Sequence, residues 1–281
     1  MKRSDISKET LKILRFGNYN YGGKPVDIGD ALWVSRTGTT LYTPDDARFD
    51  LTAVGDTFTT SFSLEDETTI QGIRVLSAEG KERIGALNFA SAKNPGGGFM
   101  GEAQAQEESL ARCSSLYASL LECQEMYDFN RRARDDFYSD YMSYAPVVVF
   151  FRNDALELLE KPVFADIVTA PAVNRALTNR VKKITQEDID ACMRRRLRKV
   201  LHVFRQQACR HLVLGAWGCG VFRNDPTDVA RYFSEFLCGD GEFAHAFESV
   251  RFSIPDAKGR AFQAFQLRFG EILRAKHTLE V

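Results

Sequence analysis

Three consecutive glycines, Gly96-Gly97-Gly98, stand seven residues before Gln106-Glu107-Glu108. Such glycines let the backbone pass close to a ligand with its N–H groups exposed. The carboxylates that follow open an amphipathic helical pattern. This layout can hold a phosphate on backbone dipoles and present an acid to a bond beside it. Acidic residues favour helix N-termini for dipole reasons alone, but here Glu102, Gln104, Gln106, Glu107 and Glu108 crowd together. Adjacent carboxylates and burial raise a carboxyl pKa, so one of the pair can stay protonated at neutral pH and act as a general acid. Neighbouring helix positions point about 100° apart. Glu107 and Glu108 are therefore expected to divide the work, one catalytic and one holding hydroxyls.

A second glycine-rich turn, Gly215 to Asn224, offers backbone amides to a diphosphate and Phe222 to pack on a sugar or base. A glycine cluster by itself marks only a tight turn; what restricts the reading is that both turns follow strand-like runs. Cys219 has no His nearby in sequence to activate it and is expected to pack rather than react. His202, His211, His245 and His277 lack metal-ligand spacing, so neither a metal nor a cofactor is expected. Arg194-Arg195-Arg196-Leu197-Arg198-Lys199 reads as a solvated helix face, with contact to a distal polyanion as the alternative. Ala170 to Asn174 ends a strand and either lines the pocket or turns the chain.

The elements that must position these turns follow from periodicity. Residues 4–17 read as an amphipathic helix stopped by Gly17, and residues 18–66 as irregular, with short β-like runs at Ala31–Val34 and Thr57–Phe62. Thr69–Leu76 alternates like a strand, and Ile84–Phe89 is a strand running into the first turn. Gln106–Cys123 has helical spacing; 147–151 and 163–169 look like buried strands. Thr185–Arg210 is a long helix with a Thr185…Asp188 capping box. His211–Leu214 is a strand feeding the second turn, a helix starts at Pro226, Val250–Ile254 is a strand and 258–275 a closing helix. Strands alternating with helices give an α/β layered fold with a central sheet, which binds ligands at strand carboxyl ends.

Composition narrows the partners. With 281 residues, 44% hydrophobic content and 21 phenylalanines, the chain can build a large core. A net charge of -1 supplies no global field for a polyanion, so phosphates must be met locally and no obligate nucleic acid is expected. There is no membrane-length apolar run and no signal-peptide core, and six cysteines without a CxxC pair suit reduced thiols; a cytoplasmic monomer is expected.

The triple glycine followed by Gln106-Glu107-Glu108 resembles the poly(ADP-ribose) glycohydrolase signature. Leu87-Asn88-Phe89-Ala90-Ser91-Ala92-Lys93-Asn94-Pro95 is similar to the compact bacterial-type members. Gly215-Ala216-Trp217-Gly218-Cys219-Gly220-Val221-Phe222-Arg223-Asn224-Asp225-Pro226 resembles that family's second phosphate loop. The likeness covers residues 50–270 and is specific in these two loops. It implies a macrodomain-like three-layer fold, a mixed sheet between helices, with residues 1–60 as an accessory segment and 61–281 as the catalytic domain. It further implies hydrolysis of ribose–ribose O-glycosidic bonds mainly from the polymer terminus, releasing ADP-ribose without a metal. By position, Glu108 would be the catalytic acid and Glu107 the ligand of ribose hydroxyls. Gly96, Gly97, Gly98 and the Gly218-Cys219-Gly220-Val221-Phe222 backbone would hold the diphosphate, Phe222 would orient the distal ribose, and Asn88, Asn94 and Gln106 would contact the ligand. The alternatives are removal of single ADP-ribose units from protein or nucleic acid, and a non-catalytic ADP-ribose reader. A reader has no need of the intact Gln-Glu-Glu. A dinucleotide dehydrogenase is disfavoured because no GxGxxG opens a helix at the right place.

Overall fold

The computed structural model describes residues 2–50, 58–133, 137–177 and 184–277. In chain order these form α1 (Arg3–Phe16), β1 (Asn18–Tyr21), β2 (Lys24–Asp27), α2 (Gly29–Thr37), β3 (Thr40–Tyr42), β4 (Ser61–Glu65), α3 (Thr69–Ala78), β5 (Ile84–Phe89) and α4 (Gln106–Cys113). There follow α5 (Leu116–Leu120), α6 (Gln124–Ala133), β6 (Met142–Arg152), β7 (Leu158–Ala170), α7 (Gln186–Gln206), β8 (His211–Leu214), α8 (Pro226–Leu237), β9 (Ser249–Ser253) and α9 (Arg260–His277). Among the described residues the main sheet has seven strands in the order β3-β6-β7-β5-β8-β9-β4. From β7 to β4 every neighbouring pair is parallel, while β6 runs antiparallel to both β3 and β7.

Side chains alternate across each strand, and the two faces feed separate cores. Ala86, Ile167 and Val213 pack with Ile70, Ile73 and Leu76 of α3 and with Leu110 and Leu116 of α4 and α5. Leu87, Val168, Leu212, Leu214 and Phe252 pack with α7, α8 and α9. The result is the mixed, three-layer macrodomain-like arrangement. The adjacent parallel strands β5 and β8 end side by side, and both glycine turns leave from their carboxyl ends.

Three local expectations fail for identifiable reasons. Thr69–Leu76 is helix, not strand: Ile70, Ile73 and Leu76 are buried three residues apart, and Thr68 Oγ1 caps the helix by accepting from Gln71 N at 3.2 Å. A Cβ on Gly72 would come within 3.0 Å of Val213 Cγ1, so its absence lets α3 lie close on β8. Ala31–Val34 belongs to α2, where Trp33 stays 67% exposed. Gln106–Cys123 is broken at Ser114, which turns extended and bridges to Phe150. Ser114 Oγ bonds the Leu110 carbonyl and receives Leu116 N–H, a side-chain competitor for the helical ladder. The strand expected over 57–62 is β4 from Ser61; Thr57 lies outside the described residues.

The described part of the first sixty residues packs against the rest at several places; α2 lies on β6, and Tyr19 Oη donates to Leu159 O at 2.7 Å. β3 is an edge strand of the main sheet. Helix α1 reaches α4, where Thr10 Oγ1 donates to the Arg112 carbonyl at 2.7 Å.

The basic run on α7 is absorbed in ion pairs. Arg194 pairs with Glu235, Arg198 with Glu242, and Arg195, Arg196 and Lys199 all converge on Asp140. Burial works to raise the Asp140 pKa, but these three cations hold it well below the usual carboxylate range. Its contribution to stability is present above the unfolded carboxyl pKa and is lost as pH falls below it. Asp140→Asn is expected to cost about 3 kcal/mol, because it leaves the fully buried Arg196 without its counter-charge. Urea unfolding at neutral pH checks this; a midpoint unchanged from wild type would contradict it.

Candidate active site

Helix α4 starts where the loop after β5 returns to the sheet. Gln106 fastens it: its Oε1 accepts Phe89 N–H at 2.8 Å, and its Nε2 donates to Leu87 O at 2.7 Å and Thr69 Oγ1 at 3.1 Å. Both ends of that amide are thus engaged by protein. The loop itself is held by Arg112, whose guanidinium donates to the carbonyls of Phe99, Gly101 and Ala103 and to Ser7 Oγ of α1.

The two glutamates occupy different environments, as their angular separation requires. Glu107 is only 3% exposed; Oε1 accepts from Asn88 Nδ2 at 3.2 Å and Oε2 from Ser91 N at 2.6 Å. Burial pushes its pKa up to about 8, against the Ser91 and Asn88 hydrogen bonds and with some help from the Glu108 charge. Glu108 is half-buried and faces the cleft, with Oε1 accepting Gly98 N–H and Oε2 accepting Ala105 N–H, each at 2.9 Å. The Ala105 contact is half of a capping box, since alanine has no acceptor to return.

The glycines of the first turn serve these carboxylates. Gly98 N–H donates to Glu108, and Gly97 N–H closes a turn on Asn94 O at 2.9 Å. Gly97 has φ +58°, and a Cβ there would collide with Glu108 Oε1 and come within 3.2 Å of Glu107 Oε2. An amide expected to meet phosphate, that of Gly98, therefore already holds an acid group. The Asn94 side chain is exposed on the cleft wall. Asn88 is fully buried beneath, its Nδ2 shared between Glu107 and Thr169 and its Oδ1 without a partner among the described residues.

The second turn is the freer one. Trp217 anchors it through Nε1 to Ala170 O at 3.0 Å, and Asn224 Nδ2 ties it to Val173 O and Gly218 O. Cys219 N–H donates to Ala216 O, but among the described residues the amides of Gly218, Gly220, Val221 and Phe222 have no protein acceptor. A Cβ on Gly220 would meet nothing within 4 Å, so its backbone is open to the cleft. Val221 is 75% exposed at the outer edge, and Phe222 is half-buried on the cleft wall. Burial pushes the Cys219 thiol up to about 12, which suits packing and not nucleophilic attack.

Both turns line one cleft of about 1170 Å³, with Glu107, Glu108, Asn94, Gly97 and Gly98 on one wall and Gly218 to Phe222 on the other. It extends past Thr68 to Ile70 at the start of α3 and past Ser253 to Pro255 and Arg260. These positions carry no sequence signal: the alternation of Thr69–Leu76 points to a strand, and the β9–α9 connection has no motif. Ser91 is likewise silent in the sequence, because its backbone amide does the work and leaves no side-chain signal. Among the described residues no cluster of His, Cys, Asp and Glu could hold a metal ion, and no helix is long and apolar enough to cross a membrane.

The family described as microbial-type PARG, catalytic domain, matches residues 7–153, which include the first glycine turn and both glutamates. A poly(ADP-ribose) glycohydrolase (PARG) structure from Thermomonospora curvata is 42% identical, with TM-score 0.90, covering 95% of this chain and 99% of that one. This chain belongs to the microbial-type PARG family. A further T. curvata PARG structure, bound to the inhibitor ADP-HPD, is 40% identical with TM-score 0.88, covering 95% of this chain and 99% of that one. A Deinococcus radiodurans PARG in complex with ADP-ribose is 43% identical with TM-score 0.80, covering 85% and 97%. No curated protein matches. Membership in the PARG family agrees with the fold and the signature read from sequence.

Proposed function

We propose that this protein is a poly(ADP-ribose) glycohydrolase that hydrolyses ribose–ribose O-glycosidic bonds mainly from the polymer terminus. The observation that carries this reading is that two first-turn glutamates and a row of unengaged backbone amides open into the same cleft. The amides of Gly218, Gly220, Val221 and Phe222 bind the diphosphate, and Phe222 packs beside the distal ribose. Phe222, backed by Tyr138, limits the cleft there, so a terminal unit enters more readily than an internal one.

Cleavage at the anomeric carbon passes through an oxocarbenium-like state. Glu108, the more exposed of the two carboxyls on the cleft wall, gives its proton to the departing ribose oxygen and then, as carboxylate, takes one from the attacking water. Glu107 is too buried for that exchange; held neutral, it donates a hydrogen bond to a ribose hydroxyl. Gln106 and Asn88 position the glutamates, and Asn94 contacts the ribose from the rim. Free ADP-ribose appearing when the protein meets purified poly(ADP-ribose) supports this; tight ADP-ribose binding without release would make the protein a reader.

A pH dependence follows. The useful form of Glu107 is the acid, so kcat/KM should hold on the acid side and decline as pH rises through about 8. Glu107→Gln cannot ionise and should remove that decline; a decline unchanged in the variant would contradict the role.

A further inference from the structure

Lys93 is the residue immediately before the Asn94–Gly98 turn. Among the described residues its ammonium has no carboxylate partner; instead Nζ lies 5.8 Å from the centroid of the Tyr138 ring. That ring packs in turn against Phe222, with centroids 5.8 Å apart and planes at 47°. Asn94 and Phe222 line the cleft, whereas Lys93 and Tyr138 do not. The pair therefore sits just outside, at the rim where the catalytic turn and the second glycine turn meet.

Tyr138 is built into this place. Its φ is +57°, a conformation that aromatic residues rarely adopt and that persists only where surrounding contacts impose it. Arg196 supplies them: Nη2 donates to the carbonyls of Phe137 at 2.9 Å and Tyr138 at 3.2 Å, while Nε is fixed by Asp140 at 3.0 Å. Tyr138 Oη also accepts from Asn174 Nδ2 at 3.0 Å. Of the other cations nearby, Arg260 pairs with Asp225 and Arg131 with Asp128, while Arg223 lines the cleft from the second turn.

A polymer carries a second diphosphate on the leaving side of the scissile bond, and a single protein-linked unit does not. Resting on the glycohydrolase reading, we propose that Lys93, held over Tyr138, binds the diphosphate of the penultimate unit and so favours polymer over single units. The contact is a charge-assisted one at a half-exposed site.

Steady-state hydrolysis of poly(ADP-ribose) is compared with that of an ADP-ribosyl glycoside whose leaving group is an uncharged phenol. Lys93→Met should raise KM for polymer about fivefold and leave kcat, KM for the phenyl glycoside and ADP-ribose affinity at wild-type level. Lys93→Arg should restore KM for polymer, and added NaCl should raise KM more steeply in wild type than in Lys93→Met. Equal polymer KM values in two active enzymes, or an equal rise on both substrates, would overturn the proposal alone. Wild type inactive on polymer would remove the glycohydrolase reading and this proposal with it.

Discussion

Glu108→Gln is expected to lower kcat on poly(ADP-ribose) by about 10³-fold, the scale of a positioned acid–base group, with ADP-ribose affinity near wild type. Glutamine keeps the shape, and its one carbonyl oxygen can accept from either Gly98 N–H or Ala105 N–H but not both; the Gln106 and Arg112 contacts still fasten the start of α4 and the loop before it. What it cannot do is give up a proton to the leaving oxygen or take one from water. The diphosphate site proposed on the second turn lies across the cleft, and binding there should not respond. Single-turnover hydrolysis with calorimetric titration of ADP-ribose separates the two effects. Parallel loss of binding in a folded variant would assign Glu108 to binding, and near-normal turnover would move the acid elsewhere.

Gly97→Ala should be nearly as damaging, although no reacting group is removed. A methyl group there displaces Glu108 Oε1 and crowds Glu107 Oε2, in a backbone conformation of φ +58° that alanine resists. Misplacing catalytic groups by about 1 Å costs on the order of 10²-fold in rate, and the left-handed conformation adds about 1 kcal/mol of instability. Gly80→Ala separates the two costs. Gly80 has φ +72° with nothing within 4 Å of an added Cβ, and it precedes β5, whose other end carries the first turn. It should lose similar stability and keep full activity. Gly97→Ala with wild-type kcat would show that the carboxylates are not held by this close approach.

The sequence carried the two turns well because their information is local: glycine spacing, adjacent carboxylates and the strand-like runs before them. The long capped helix α7 and the strands β5 and β8 were legible for the same reason, through strong periodicity and terminal signals. What was illegible depends on partners distant in the chain. Thr69–Leu76 alternates like a strand, and only packing of Ile70, Ile73 and Leu76 on the sheet makes it a helix. The basic run looked solvated because its acids, Asp140, Glu235 and Glu242, lie 40 or more positions away. The first glycine turn looked like a phosphate cradle, and nothing in its spacing says that the Gly98 amide meets a glutamate first. Likewise Glu107 and Glu108 are adjacent letters, and it is burial, fixed by the packing around them, that separates their environments.

The most direct test gives the wild-type protein purified poly(ADP-ribose) and, in parallel, a mono-ADP-ribosylated protein, and measures free ADP-ribose in each. Release of single ADP-ribose units from the polymer, with the protein-linked unit left in place, is the expected result. Release from the mono-modified protein alone would contradict the account and make the enzyme a mono-ADP-ribosyl hydrolase.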